Sequence, residues 1–416
     1  MVAGLRIAKT MPSDAEMHFR PPLSEVLFFP FVDGGVLFRK GGRRIWFLNR
    51  TAAVIWCLLD QATDIEGLIT QYSLGFSVER VAAEHDVQVT LDFFRQEGLL
   101  GEDVPPVAEI REDPVDFAWG PQTAGPPPGE VCLVFCIAGH YCEFRCENTI
   151  LARQFASLMG HLATSGRGTR LTSLWVFSEP GRKDSWNIVI DGRIAAWAVP
   201  FDMVLPHLLT LAFAAVSIAM TDKLLFHAAV IKKEGTAILF PAEAGKGKTT
   251  LAAFLASQGN IFFSDELAIL DVQRLTVLPC PLPMSVKSGS VGVLSPYYPD
   301  LPKLAAYIRA DAKEVRYLLP PLASMAPITD VARVGAIVFP QFSANADSRI
   351  SALDKATALA LLVRTGSSDR DLDPVDISAM IRLVENSPCF ELIFSDIEEA
   401  GYLLEKDVFS CLPGSN

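Results

Sequence analysis

Residues 228–259 read AAVIKKEGTAILFPAEAGKGKTTLAAFLASQG, and their order decides the fold. TAILF has the length and composition of a buried strand, and TTLAAFLASQ continues as a helix. Strand, turn, strand, glycine-rich loop and helix is the setting of a phosphate-binding loop. The loop itself, FPAEAGKGKTT (240–250), follows the pattern GxxxxGK[ST] except at its start, where Ala242 replaces the first glycine. Gly247 lets the backbone turn so that its N–H groups face a phosphate. Lys248 supplies a point charge for β- and γ-phosphates, and Thr249, on the first turn of the helix, suits a Mg2+ ligand. The helix N-terminus adds a field that favours anions. Gly245 loosens the loop, Lys246 adds a second positive charge, and Thr250 completes the candidate nucleotide-binding run. Alanine at 242 is strained if that position needs a positive φ, and tolerated if it needs only a small side chain. The bland alternative is a glycine-rich turn without a ligand.

Working outward, Phe262-Phe263-Ser264-Asp265-Glu266 sets two carboxylates at the end of an apolar run. NIFFSDELAIL is expected to be a strand parallel to TAILF that opens at the same edge as the loop. One acid would hold Mg2+ while the other accepts a proton from an attacking hydroxyl. A solvated turn after a strand is the plain alternative. His227, in LLFHAAV one strand before the loop, is by itself as readily a core histidine as a functional one.

The 416 residues exceed one ordinary domain. Half are hydrophobic and a fifth charged, enough for a sizeable core. The net charge of -12 argues against a nucleic-acid partner, which needs a basic face. The N-terminus lacks the apolar segment and cleavage site of a secretory signal. The longest apolar run, Leu208 to Met220, has 13 residues, short for a bilayer and suited to a buried helix. The expectation is a cytoplasmic chain without a membrane partner, its oligomeric state open.

Residues 1–21 read as a tail. From 22 to 104, three short strand patterns (EVLFFPFV, GGVLFRKG, RRIWFLN) are separated by Gly34-Gly35 and Gly41-Gly42. AAVIWCLLD then repeats apolar residues at helical spacing, with Asn49 or Thr51 as cap. DIEGLITQYS and SVERVAAEHD read as two further helices, followed by LDFFRQEGLL. Residues 105–129 are rich in Pro, Gly and acids and read as a linker. Residues 130–225 alternate strands with helices as an α/β subdomain, and 226–410 hold the loop and the acids.

FHAAV, AILFPAEAGKGKTTLA and FFSDELAIL together resemble the HPr kinase family and its relatives in peptide-modifying gene clusters. Weaker likeness continues through PLPMSVKSG, KEVRYLLPP and SRISALDKATAL, so that it spans about residues 130–405. The resemblance implies an α/β fold, a P-loop kinase domain of the HPr kinase/PEP carboxykinase-like type, which transfers the γ-phosphoryl of ATP to serine with Mg2+. By position it assigns Gly245, Lys246, Gly247, Lys248, Thr249 and Thr250 to the nucleotide. It assigns Thr249, Asp265 and Glu266 to the metal, and Asp265, Glu266, His227 and Lys248 to catalysis. Lys287 and Arg316 fall where relatives carry basic residues that neutralise the transferred group. Ala242 and Ala244 stand where that family usually has glycine and serine, the second acid is Glu rather than Asp, and the glycine-rich segment used for the reverse reaction is not found. Kinase activity is therefore expected; phosphorylase activity and HPr as substrate do not follow from the resemblance.

GGVLFRKGGRRIWFLNRTAAVIWCLLDQATDIEGLI, closing with LDFFRQEGLL, resembles the PqqD family, a small α+β winged-helix-like module. Such modules hold the leader of a ribosomally made peptide as an added strand. The resemblance implies that residues 24–104 bind a precursor peptide, with Trp56 in the core and the edge strand and the groove beside SVERVAAEHD as the contact surface. The expected function is ATP- and Mg2+-dependent phosphorylation of Ser or Thr on that peptide, the linker raising its effective concentration at the kinase. The alternatives are a nucleotide-gated peptide chaperone without transfer, and a kinase of a small molecule or glycan precursor. Cys132, Cys136, Cys142 and Cys146 form two CxxxC steps around His140. Zinc knuckles use shorter spacing, so buried strand cysteines are the expected reading.

Overall fold

The computed structural model describes residues 22–32, 34–42, 44–101, 122, 131–166, 168, 171–179, 182–309, 311–365 and 371–412. The expected tail (1–21), and all of the expected linker (105–129) except Gln122, lie outside the described residues. The chain divides into two compact units, Met1–Ile110 and Arg111–Asn416.

In the first unit, β1 (Val26–Phe31), β2 (Gly34–Arg39) and β3 (Ile45–Leu48) form an antiparallel meander in sequence order. Gly34 and Gly35 lie in β2 itself, beside the turn and not in it; glycine is needed at 35 because a Cβ there would come within 2.1 Å of the Phe28 ring. Helix α1 (Arg50–Leu59) starts at Asn49, whose Oδ1 accepts the Ala52 N–H at 2.8 Å. Helix α2 (Ile65–Phe76) is capped by Asp64 in the same way. SVERVAAEHD and LDFFRQ belong to one helix, α3 (Arg80–Gln96). Nothing between them breaks it: residues 87–90 contain no Gly or Pro, and Ala83, Val87, Leu91 and Phe94 keep one buried stripe. That stripe closes the core over Leu37 and Ile55, with Trp56 meeting Phe94 edge-on at 5.0 Å.

The second unit begins with a five-stranded sheet in the order β4-β5-β6-β7-β8. β4 (Val131–Ile137) and β5 (His140–Cys146) make a hairpin, and α4 (Thr149–Met159) crosses over to β6 (Leu171–Glu179), parallel to β5. β7 (Arg182–Ile190) and β8 (Arg193–Val199) follow, then α5 (Phe201–Ala219). Among the described residues α5 alone is long and apolar enough to cross a membrane. It is longer than its uninterrupted apolar run because Phe201–His207 adds two turns, and here it packs in a core with Phe144, Phe155, Leu225 and Leu267. Cys142 and Cys146 lie in that core too, and burial pushes both thiols up to about 12, so they are protonated.

The larger sheet has nine strands. It comprises β9 (Leu224–Phe226), β10 (Ala228–Lys233), β11 (Thr236–Pro241), β12 (Ile261–Ser264), β13 (Ala268–Asp271) and β14 (Thr276–Leu278), with α6 (Lys248–Ser257) between β11 and β12. A small antiparallel sheet follows: β15 (Met284–Lys287), then α7 (Ser288–Leu294), β16 (Tyr307–Ile308) and β17 (Glu314–Leu318). The chain returns to the large sheet with β18 (Ala332–Phe342), β19 (Arg349–Ala352) and, after α8 (Lys355–Thr365) and α9 (Pro374–Asn386), β20 (Cys389–Phe394); α10 (Ile397–Asp407) closes it. The strand path runs β12-β10-β11-β18-β14-β13-β9, with β20 on β18 and β19 on β20.

Each end of this path, β12 and β9, is tied covalently to the strand next to the other end. Only His227 separates β9 from β10, and only residues 265–267 separate β12 from β13. The sheet therefore has to curl until its far ends meet at His227 and the acid pair. NIFFSDELAIL is accordingly two strands, β12 and β13, with Asp265 and Glu266 in the bend. β12 runs in the direction of β11 as expected, but β10 lies between them, antiparallel to both.

Candidate active site

Three stretches of chain converge where the sheet curls. The loop after β11 starts beside His227 because Ala228 pairs with Pro241, and the Ala242 N–H donates to the His227 carbonyl at 3.4 Å. The His227 N–H donates to the Thr365 carbonyl at the end of α8 at 3.0 Å. The acid pair closes the third side from the β12–β13 bend.

The loop's backbone depends on its glycines. Gly245 and Gly247 take φ of 86° and 92°, the left-handed region that favours glycine. Gly247 is doubly required, since a Cβ there would lie 2.9 Å from the Phe394 ring and 3.2 Å from Phe342 Cβ. Ala242 is buried and is not among the residues with positive φ, so its methyl fits without backbone strain. The Lys246 carbonyl accepts the Phe342 N–H at 3.1 Å, which fixes the loop on β18.

Lys248 is buried, and its Nζ donates to the carbonyls of Ala242 and, at 3.1 Å, Glu243. Burial holds its pKa down at about 8, against the pull of Asp265 and Glu266. Asp265 is only 5% exposed, and neither carboxylate oxygen has a hydrogen-bond partner. Burial first, and then the charge of Glu266, push its pKa up well above the usual carboxylate range. The Thr249 hydroxyl offsets part of that rise without reaching either oxygen at hydrogen-bond geometry. His227 is half-buried, and burial followed by the Lys248 charge lowers it to about 4, so the ring is neutral at pH 7.

The remaining predicted residues divide. Lys287, at the end of β15, is exposed, yet its charge acts on His227, Lys248 and Asp265. Thr250 points away, its hydroxyl 2.8 Å from Ser290 of α7. Arg316 is not brought to the acids. It pairs across the strand with Val286, on the face of β17 opposite to Tyr317, and its Nη1 meets Glu314 at 3.3 Å. The arginine that does reach the acids is Arg309, after β16, with Nη1 3.6 Å from Glu266. Arg309 and Tyr317 line a cavity with Asp265 and Glu266. Alternation along VRYL could have flagged Tyr317, but the sequence carries no signal for Arg309, which depends on the β16–β17 hairpin folding over the bend.

The donor set suits Mg2+ and not a fully protein-caged metal. No group of three or more His, Cys, Asp or Glu side chains is gathered among the described residues. Mg2+ takes one or two carboxylates and completes its shell with water and phosphates. An orphaned buried carboxylate next to a hydroxyl and a second acid leaves room for such a cation.

Residues 34–100 match the family profile described as coenzyme PQQ synthesis protein D (PqqD), so the N-terminal unit carries a PqqD domain. Among solved structures, TbiB1 in complex with the TbiA(beta) leader peptide is similar at 21% identity over 20% of this chain and 99% of that chain, with a TM-score of 0.19. The Hpr(Ser) kinase/phosphatase from Coxiella burnetii is similar at 13% identity over 45% of this chain and 94% of that chain, with a TM-score of 0.22. No curated protein matches the chain.

Proposed function

We propose that the chain is an ATP- and Mg2+-dependent kinase that phosphorylates a Ser or Thr hydroxyl of a precursor peptide, held through its leader by the PqqD domain. The observation that carries this reading is Asp265, a buried carboxylate without a partner beside a phosphate-type loop. Burying an unpaired carboxylate costs several kcal/mol, about the scale of a large destabilising mutation. Such a group persists where a ligand completes it. Under this reading the protein is a P-loop kinase domain, 226–410, served by the α/β subdomain 130–225 and preceded by the recognition domain 22–104.

The roles follow from placement. Loop N–H groups, with Gly245 and Gly247 supplying the turn, bind the β- and γ-phosphates. Lys248, already facing the loop interior, trades its carbonyl partners for phosphate oxygens. Lys246 and Lys287 add positive charge around the same anion. Thr249, Asp265 and Glu266 would hold Mg2+, whose chemistry when bound is to neutralise charge on the triphosphate. An Asp265 oxygen receives the proton of the acceptor hydroxyl as the hydroxyl oxygen bonds to the γ-phosphorus, the bond from the γ-phosphorus to the β–γ bridging oxygen breaks, and ADP departs. His227, neutral and fixed by two backbone hydrogen bonds, positions the start of the loop. In the PqqD domain, β3 is a sheet edge and Phe47 is exposed on it, as strand addition requires.

The test is incubation of the full chain with Mg·ATP and the precursor peptide encoded beside it, followed by mass spectrometry. The expected result is one added phosphate on Ser or Thr that disappears with Asp265→Asn. ATP binding with no phosphopeptide would leave the chaperone reading in its place.

A further inference from the structure

Beyond the acid pair lies a cavity of about 170 Å³, close to the size of one that encloses a benzene molecule. Asp265, Glu266, Arg309 and Tyr317 form its polar side. The rest of the lining is mostly apolar and comes partly from outside the loop region: Leu209, Thr210 and Phe213 of α5, with Leu267, Cys280, Leu282, Pro283 and Ser285. These walls are held firmly, because α5 shares one core cluster with Leu267 and Cys280. Helix α5, which no step above uses, thus contributes a wall to the reacting site.

We propose that this cavity takes the apolar side chain adjacent to the acceptor hydroxyl, so that the enzyme selects serine or threonine next to a leucine- or phenylalanine-sized residue and rejects sugars. This inference rests on the kinase reading. A hydroxyl at Asp265 places its neighbouring group against Leu209 and Phe213, and the volume admits one such side chain. A sugar in the same space would set several of its hydroxyls against the side chains of Leu209, Phe213, Leu267, Leu282 and Pro283, a cost that apolar walls do not offset. A glycine neighbour leaves the cavity unfilled, and a glutamate brings a third carboxylate beside Asp265 and Glu266. Discrimination by an apolar pocket of this size is about 10- to 100-fold in kcat/KM.

The experiment uses the full chain, Mg·ATP and N-acetylated, C-amidated heptapeptides with one serine, flanked on both sides by Leu, Phe, Gly or Glu, with glucose as the sugar. Phosphorylation is read by mass spectrometry. Leu or Phe peptides are expected to exceed Gly and Glu peptides by about tenfold or more in kcat/KM, with glucose unmodified. Thr210→Trp, which fills the cavity from α5, is expected to erase that preference. Phe213→Ala, which enlarges it, is expected to move the preference from Leu towards Phe. Equal rates for the four peptides, phosphorylation of glucose, or a preference that survives Thr210→Trp would overturn the proposal. If Thr210→Trp does not fold, the wild-type peptide series decides. Serine phosphorylation without neighbour preference sinks the cavity alone, whereas absence of Mg·ATP binding by calorimetry sinks the kinase reading and the cavity with it.

Discussion

The two units bury different things. Apart from aromatic rings, Thr90 is the one buried polar side chain among the described residues of the N-terminal unit. The C-terminal unit buries Lys248 and Asp265 within one site, with Ser264 beside them. An apolar core of the first kind maximises stability and leaves recognition to edges and surfaces. A site of the second kind gives up stability in order to hold charge where water cannot screen it. Under the proposed function, the contrast corresponds to recognition on the rim of one unit and chemistry in the interior of the other.

The sharpest way to break this contrast is to neutralise the interior charges. Lys248→Ala and Asp265→Asn are each expected to lower the phosphorylation rate by about 10³-fold. Asp265→Asn is expected to keep or raise Tm, since it removes a buried charge without changing shape. A large fall in Tm by calorimetry would make Asp265 a structural residue. Acid should come next in size. The folded pKa of His227, about 4, lies below its unfolded value, so its contribution to stability is complete above about pH 6.5 and is lost as pH falls towards 4. That window accounts for about 3 kcal/mol. Denaturant titrations at pH 7 and pH 4.5 should show His227→Gln losing less stability than wild type over that interval.

At the rim, Phe47→Asp on β3 is expected to raise KM for the full-length precursor about tenfold with kcat unchanged, the loss of one apolar contact. An equal fall in kcat would instead couple the recognition edge to the chemistry. Ala242→Gly should change nucleotide affinity the least, by less than about twofold, because alanine already fits without a positive φ. A tenfold gain by calorimetry would show a strained loop.

Much of the site was legible because its chemistry is local in sequence. Gly245, Gly247, Lys248 and Thr249 sit in one loop, and Asp265-Glu266 are adjacent. Their convergence with His227 needed the curl of the sheet, which strand patterns do not report. Arg316 and Arg309 show the limit most clearly. A basic residue in the right segment still points the wrong way when its parity on the strand is opposite. The N-terminal meander and α1 follow their patterns closely, whereas SVERVAAEHD and LDFFRQ form the single helix α3, because Val87 and Leu91 continue its buried stripe.

One measurement bears on the centre of this account: transfer of labelled γ-phosphate from Mg·ATP to the precursor peptide, by wild type and by Asp265→Asn side by side, with Mg·ATP affinity measured for both. Label on a peptide Ser or Thr with wild type, its loss with the variant, and similar folding of the two is the predicted result. Label transfer undiminished in Asp265→Asn, or tight Mg·ATP binding by wild type with no label on the peptide, would contradict it.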